Sequence, residues 1–175
     1  MQEDVEEEAD HGERSIVLLR HGIAEDAAAG QTDEGRALTP EGHARMKQIG
    51  KGLERAFPRA HTIYASPLLR AQQTAMWISK AYRLRAKVET TEVLVPGASP
   101  GDLAAFLQSH PQRRLIFVGH EPNLSTNLLA LIRAADHAAL EFKKGGAACV
   151  RLNAAGTGVL QWMMTPQLLT KLAEE

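Results

Sequence analysis

Ser15-Ile16-Val17-Leu18-Leu19-Arg20-His21-Gly22 is the stretch on which the reading of this chain turns. Ser15 to Leu19 form a short, β-rich apolar run, which predicts a buried strand. It ends in a cation, an imidazole and a glycine. In an open α/β sheet that edge is where ligands bind. Arginine forks onto phosphate or carboxylate through two parallel hydrogen bonds. A neutral histidine attacks phosphorus or carries protons. Gly22 has no side chain, so its N–H is expected to come close to an anion. Alone, the triplet also reads as an ordinary turn, so partners must come from elsewhere in the chain.

Two further strand-to-helix junctions supply them. After a loop over residues 23–38, Thr39-Pro40-Glu41 opens a helix, with Thr39 as N-cap and Pro40 at the first helical position. Met46, Ile49, Leu53 and Phe57 form its inner stripe, and Pro58 ends it. Thr62–Ala65 reads as a strand. Ser66-Pro67 reads as a second cap-plus-proline start, with Leu68, Ala71, Ala75, Ile78 and Tyr82 facing inward. Residues 86–95 are expected to be a third strand, and Ser99-Pro100 to open a third helix through Leu103, Phe106 and Leu107. Arg114–Val118 is an apolar run suited to a strand covered on both faces. It leads through Gly119-His120-Glu121-Pro122 into a helix bearing Leu124, Leu128 and Leu131. Ala147–Leu152 and Gly158–Met163, joined by a turn, predict an antiparallel hairpin at a sheet edge, and Gln167–Ala173 a last short helix. The strand–helix alternation predicts an α/β fold: a three-layer α/β/α sandwich, mostly parallel, with an antiparallel edge.

With parallel strands, Arg20, His21, Arg70 and His120 share one rim. Arg70 lies in the first turn of its helix, where the dipole disfavours a cation by about 0.3–1 kcal/mol. That placement suits an arginine and a helix N-terminus holding an anion together; a surface arginine paired with a nearby acid is the alternative. His120, at the end of the most apolar strand, reads on its own as a core histidine hydrogen-bonded to backbone. Taken together, two arginines and two histidines without a matching set of carboxylates describe a pocket for a tetrahedral oxyanion. The same set makes a poor metal site, because arginine is not a ligand and repels cations.

Bulk composition narrows the alternatives. The 175 residues suit one domain, and 44% hydrophobic with 23% charged residues is ordinary globular usage. Aromatics at 5% argue against a base-stacking surface, so no nucleic-acid partner is expected. No apolar run approaches 18 residues, so no membrane partner is expected either. One cysteine, Cys149, suits a reducing compartment, and the acidic N-terminus is no signal peptide; a cytoplasmic protein is expected. Residues 1–14 carry seven acids and one base and read as a solvated tail ahead of a single domain over 15–175. The remainder has 19 bases against 14 acids, a mild excess that favours an anionic ligand.

The runs Leu19-Arg20-His21-Gly22, Leu38-Thr39-Pro40-Glu41-Gly42, Ser66-Pro67-Leu68-Leu69-Arg70-Ala71-Gln72-Gln73-Thr74 and Gly119-His120-Glu121-Pro122, in this order, resemble the histidine phosphatase (phosphoglycerate mutase-like) superfamily. The compact length, the Gly145–Leu152 strand and Gln161-Trp162-Met163 resemble its SixA-type phosphohistidine phosphatases. The resemblance spans about Ser15 to Pro166. It implies a phosphoglycerate mutase-like fold, no cofactor and no metal. It implies His21 as the nucleophile that becomes a phosphohistidine, Arg20 and Arg70 as the phosphate clamp, and His120 as a donor to a phosphoryl oxygen. Two guanidinium groups and an imidazolium would neutralise the equatorial oxygens. His21 must be neutral to attack, so activity is expected to fall at low pH, with the arginines lowering its pKa further.

Ester-cleaving relatives protonate their leaving group with a carboxylate. The candidates here are Glu25, Glu92, whose spacing to Gly97 does not match the ester-hydrolysing pattern cleanly, and Glu121, which follows the second histidine as an acid does in the family's acid-phosphatase branch. A phosphohistidine substrate needs less help, because its leaving group is an imidazole. Only residues 91–100 separate the third strand from the next helix, leaving no room for a lid and favouring a bulky substrate. Arg36 either lines the pocket or is a solvated loop residue. The leading expectation is a metal-independent phosphatase acting on a phosphohistidine-bearing signalling protein. The alternatives are a small-molecule phosphomonoesterase or mutase, and a non-catalytic phosphohistidine-binding module.

Overall fold

The computed structural model describes residues 14–83, 87–135 and 140–175. Six strands form one sheet in the order β3-β2-β4-β1-β5-β6. They are β1 (Arg14–Arg20), β2 (Thr62–Ala65), β3 (Lys87–Thr90), β4 (Arg114–Gly119), β5 (Ala147–Leu152) and β6 (Gly158–Met164). β1 pairs in parallel with β4, as does β2 with both β3 and β4; β5 runs antiparallel to β1 and to β6. The expected sandwich with an antiparallel edge is the observed architecture.

Alternation along β1 assigns its residues to two cores. Val17 and Leu19 face α1 (Pro40–Ala56), α2 (Leu69–Ala81) and α5 (Pro166–Leu172), meeting Met46, Ile49, Leu53, Ala75, Ile78 and Leu169. Ile16 and Leu18 face α3 (Pro100–Ser109) and α4 (Asn123–Leu131), meeting Leu103, Leu107, Leu124 and Leu128. Fully burying each of these side chains contributes about 1.5–3 kcal/mol. α1 comes so close to α5 that a Cβ on Gly52 would lie 1.8 Å from the carbonyl oxygen of Leu169, so only glycine fits there.

The helix starts follow the sequence at two junctions and depart from it at a third. Thr39 accepts a hydrogen bond from Gly42 N, and Ser99 and Asp102 form a reciprocal capping box. Ser66, however, does not cap α2. The helix begins at Leu69, its N-cap Leu68 has no side-chain cap bond, and the Ser66 hydroxyl turns to His120.

Three further expectations are corrected. The third strand stops at Thr90, and Glu92–Leu94 is a 3₁₀ turn that buries Leu94 against α4 rather than extending the sheet. The loop over 23–38 contains a 3₁₀ turn at Asp33–Gly35 and a bridge between Ala24 and Leu38. Arg14 does not belong to the acidic stretch: it opens β1, and its guanidinium donates to the carbonyls of Leu107, His110 and Gln112. The rest of that stretch, residues 1–13, lies outside the described residues.

Candidate active site

β1, β2 and β4 all end at the same edge of the sheet. Arg20 closes β1 with His21 following, Ser66 follows β2 and leads into Arg70 on α2, and His120 follows β4. The parallel register puts Arg20 opposite Gly119 and Ala65 opposite Val118. The His21 and His120 rings lie 5.0 Å apart, tilted by 52°. All four sequence-chosen side chains gather at this rim.

Local bonds fix how His21 presents itself. Its Nδ1 lies 2.7 Å from the carbonyl oxygen of Gly22, which can only accept. The neutral ring therefore carries its proton on Nδ1 and keeps the Nε2 lone pair free. Gly22 itself is needed for packing, because a Cβ there would lie 2.6 Å from Met46 Cγ. The expected approach of its N–H to an anion is corrected: that N–H donates to Thr74 Oγ1, which in turn donates to the carbonyl of Arg70. These bonds tie the β1 end to the first turn of α2.

Three donors at the rim are buried and unpaired: Arg20 Nε, Arg70 Nε and His120 Nδ1. Each buried donor left without a partner costs about 1–3 kcal/mol. Their other nitrogens are held in place: Arg20 Nη1 donates to the Phe142 carbonyl at 2.6 Å, and His120 Nε2 lies 2.9 Å from Ser66 Oγ. Buried donors without partners, on residues that share one edge of the sheet, describe a site for an anion with several oxygens.

Burial pushes His21 down to about 3, with further lowering by the charges of His120, Arg70 and Arg20 against the raising effect of the Gly22 carbonyl. Burial likewise pushes His120 down to about 4, with Arg70 and Arg20 lowering and Asp33 raising it. Both rings are thus neutral at pH 7. The lowering of His21 matches the expectation, but desolvation rather than the arginines is its first cause. With no phosphoryl group beside it, the His120 ring is neutral and donates through Nδ1–H, with Ser66 O–H donating to Nε2.

The expectation of no matching carboxylate is also corrected. Asp33 meets Arg70 through its carboxylate at 2.8 Å and its backbone carbonyl at 2.7 Å. Asp33 also takes Arg36 Nη1 at 2.9 Å, and these two arginines hold its carboxyl below the usual range. Arg36 is thereby a brace for Asp33, its Nε donating to the Glu25 carbonyl. Asp33 sits in a loop of Ala, Gly and Asp, and nothing in that composition distinguishes it.

The three carboxylates considered as general acids fare differently. Glu121 accepts from Ser125 N, Ser125 Oγ and, at 2.6 Å, Phe142 N, so it anchors the segment whose carbonyl holds Arg20. Glu25 and Glu92 are exposed on the loop after β1 and on the 3₁₀ turn after β3. Among the described residues no three or more His, Cys, Asp or Glu side chains group as a metal site, and no helix is long and apolar enough to cross a membrane. A hollow of about 630 Å³ at the opposite end of β1, lined by Arg14, Leu107 and Asn153, holds none of the rim residues.

A mixed α/β sheet with paired histidines and arginines at the carboxyl edge of its parallel strands defines an enzyme that works on phosphoryl groups. The chain belongs to the histidine phosphatase superfamily (branch 1), whose family model matches residues 16–95, a span holding Arg20, His21 and Arg70. It is 34% identical over 145 residues to an uncharacterized protein of Picosynechococcus sp., covering 80% of this chain and 86% of that one. It is 27% identical over 154 residues to the phosphohistidine phosphatase SixA of Escherichia coli, covering 86% and 93%. The structure of the protein histidine phosphatase SixA complexed with tungstate superposes with a TM-score of 0.79 at 25% identity, covering 89% of this chain and 99% of that one.

Proposed function

We propose that this chain is a phosphatase of protein phosphohistidine, acting in the cytoplasm through a covalent phosphohistidine on His21. The observation that carries the proposal is the set of three buried, unpaired donors on the sheet edge that also holds His21, whose Nδ1 is bonded to the Gly22 carbonyl and leaves Nε2 to attack. The similarity to SixA along most of both chains supports the substrate class.

In this reading the phosphoryl oxygens take the donors of Arg20 Nε, Arg70 Nε and His120 Nδ1. His21 Nε2 attacks phosphorus in line, forming an N–P bond as the N–P bond of the substrate breaks. The bonding pair stays on the leaving imidazole nitrogen, which takes a proton from water. A water then attacks phosphorus from the vacated side and passes its proton to the hydroxide that the first step left. The N–P bond to His21 breaks, and inorganic phosphate and neutral His21 are released. Both steps are mainly positioning and charge neutralisation, which the rim supplies with preorganised donors. Among the described residues no carboxylate with a free side chain is bonded into the rim to protonate an alkoxide, and exchange between two imidazoles does not need one. That favours phosphohistidine over sugar phosphates.

The test is release of phosphate from a phosphohistidine-bearing phosphotransfer domain, with phosphoserine peptide and 3-phosphoglycerate as comparisons. Labelled phosphate should be trapped on the wild-type protein at alkaline pH, where phosphohistidine survives. His21→Ala should trap none and lose at least 10³-fold in kcat. Equal turnover of the ester substrates, or full activity of His21→Ala, overturns the reading. Tight binding of the phosphodomain without turnover would make this a binding module instead.

A further inference from the structure

Arg20 faces two ways. Its Nε belongs to the anion site, while its side chain also lines a separate shallow hollow of about 620 Å³. That hollow is bounded by Ile23, Arg45 on α1, Lys143 and Lys144 on the segment before β5, and Thr165 to Gln167 at the start of α5. Its size is within the range of binding clefts, about 300–1,000 Å³. Four cations line it and no carboxylate does. The acids nearest in sequence are Glu141, which pairs with Lys143 at 2.8 Å on the exposed surface, and Glu41, which lines a neighbouring hollow together with Arg45. Arg45 and Lys144 form no ion pair among the described residues.

Four cations with one paired acid, Glu141, among the described residues repel one another, a modest standing cost that an anionic partner relieves. The backbone on either side of Lys143 and Lys144 is tied down. Glu121 fixes Phe142 N, the Phe142 carbonyl holds Arg20, and Gly145 N donates to the Arg20 carbonyl at 3.1 Å. The shelf is therefore built on the same backbone segment as the phosphate clamp, and its position relative to His21 is fixed.

We propose that this basic shelf docks an acidic stretch of the substrate protein, next to the phosphohistidine, and so selects phosphohistidines in acidic surroundings. The proposal rests on the phosphohistidine reading above for the identity of the group in the pocket. Charge complementarity of this kind acts on association more than on the bound chemistry. It raises kcat/KM without changing kcat, and it is screened at a Debye length of about 10 Å in 0.1 M salt.

The experiment compares three substrates on the full chain: free phosphohistidine, a phosphohistidine peptide with glutamates two to four positions away on both sides, and the same peptide with glutamines. Wild type is run beside Arg45→Glu/Lys144→Glu and beside the milder Arg45→Gln/Lys144→Gln, with thermal melts confirming that each folds. The wild type is expected to favour the glutamate peptide about tenfold in kcat/KM at low salt, with the preference shrinking as salt rises. The charge-reversed variant should lose or invert the preference and turn over free phosphohistidine as the wild type does. The neutral variant should fall between.

Equal kcat/KM for the two peptides, both in the wild type and in a chain lacking residues 1–13, overturns the shelf but leaves the phosphatase reading standing. No turnover of free phosphohistidine by the wild type overturns that reading instead. Residues 1–13 are themselves acidic, so the series is repeated on a chain lacking them. A glutamate preference that emerges only after their removal would assign the shelf to the chain's own acidic stretch and overturn the proposed partner. A preference present in both chains supports it.

Discussion

Ser66 Oγ lies 2.9 Å from His120 Nε2, and both groups are buried. A serine at the end of β2 thus orients an imidazole at the end of β4, across the parallel pairing of the two strands. The hydroxyl also receives the Leu68 N–H at a long 3.4 Å, which leaves its own proton for the histidine. Donation to Nε2 keeps the His120 proton on Nδ1, where the anion site needs a donor.

Ser66→Ala removes this control. Losing one such hydrogen bond is worth about 1 kcal/mol, so kcat should fall roughly five- to tenfold while the melting temperature shifts by only a few degrees. Ser66→Thr, which keeps the hydroxyl, should recover most of the loss. Steady-state kinetics on phosphohistidine substrate checks both variants. A kcat for Ser66→Ala equal to that of the wild type would show that the bond has no role in the reaction.

Glu121 acts through a chain of bonds: its carboxylate takes Phe142 N at 2.6 Å, and the Phe142 carbonyl takes Arg20 Nη1 at 2.6 Å. Glu121→Ala leaves the Phe142 N–H and the Ser125 hydroxyl to find other partners and frees the segment that holds Arg20. The expected result is a higher KM and weaker inhibition by vanadate, each by roughly tenfold, with a stability loss of about 1–3 kcal/mol. A general acid would behave differently. Its removal would depress kcat for ester substrates and abolish the alkaline limb of the pH profile while leaving vanadate inhibition alone. Titrating vanadate against both proteins separates the two roles.

The two histidines also set the pH behaviour. Burial holds His21 at about 3 and His120 at about 4, against about 6.5 in the unfolded chain. Between those values the unfolded chain binds more protons than the folded one, so unfolding free energy rises with pH across this window. Stability should accordingly be complete above pH 6.5 and decline as pH falls toward 4. Because His21 needs no deprotonation at neutral pH, the acid limb of kcat/KM should lie near pH 3–4, provided the protein remains folded, and not near 6.5. A pH–rate profile paired with urea melts at each pH measures both. An acid limb centred on 6.5 would mean that His21 titrates as an ordinary exposed histidine.

Much of this was legible in the sequence because apolar period and capping chemistry are local. Thr39 and Ser99 cap as their neighbours dictate, and the stripe Met46, Ile49, Leu53, Phe57 is buried as its spacing requires. The rim could be read because three parallel strands must end on one side. What stayed hidden depends on contacts between distant residues. Ser66-Pro67 carries the letters of a helix start, yet His120, 54 positions away, takes the hydroxyl. Glu121 looks like an acid beside a catalytic histidine until Phe142 and Ser125 occupy it. Asp33 belongs to a loop without period, and only its meeting with Arg70, 37 positions on, gives it a role.

That meeting leads to a last prediction. Asp33 takes Arg70 Nη1 and Nη2 and leaves Nε without a partner, so it fixes the guanidinium while keeping one donor available. Its own side chain is 54% exposed, and its negative charge opposes an incoming phosphate. Asp33→Asn keeps the backbone bond to Arg70 Nη1 but removes that charge. Inorganic phosphate should then inhibit about threefold more strongly, the size expected for one exposed ion pair of about 0.2–1 kcal/mol. Arg70 is also freed to swing, so kcat should fall several-fold in the same variant. Opposite movements of Ki and kcat are the signature of a residue that positions a clamp while competing with its ligand. If phosphate inhibition weakens instead, Asp33 serves to bring Arg70 to the anion and does not compete for it. The measurement is a phosphate-inhibition series at low and high salt, where the gain in affinity should shrink as the charge is screened.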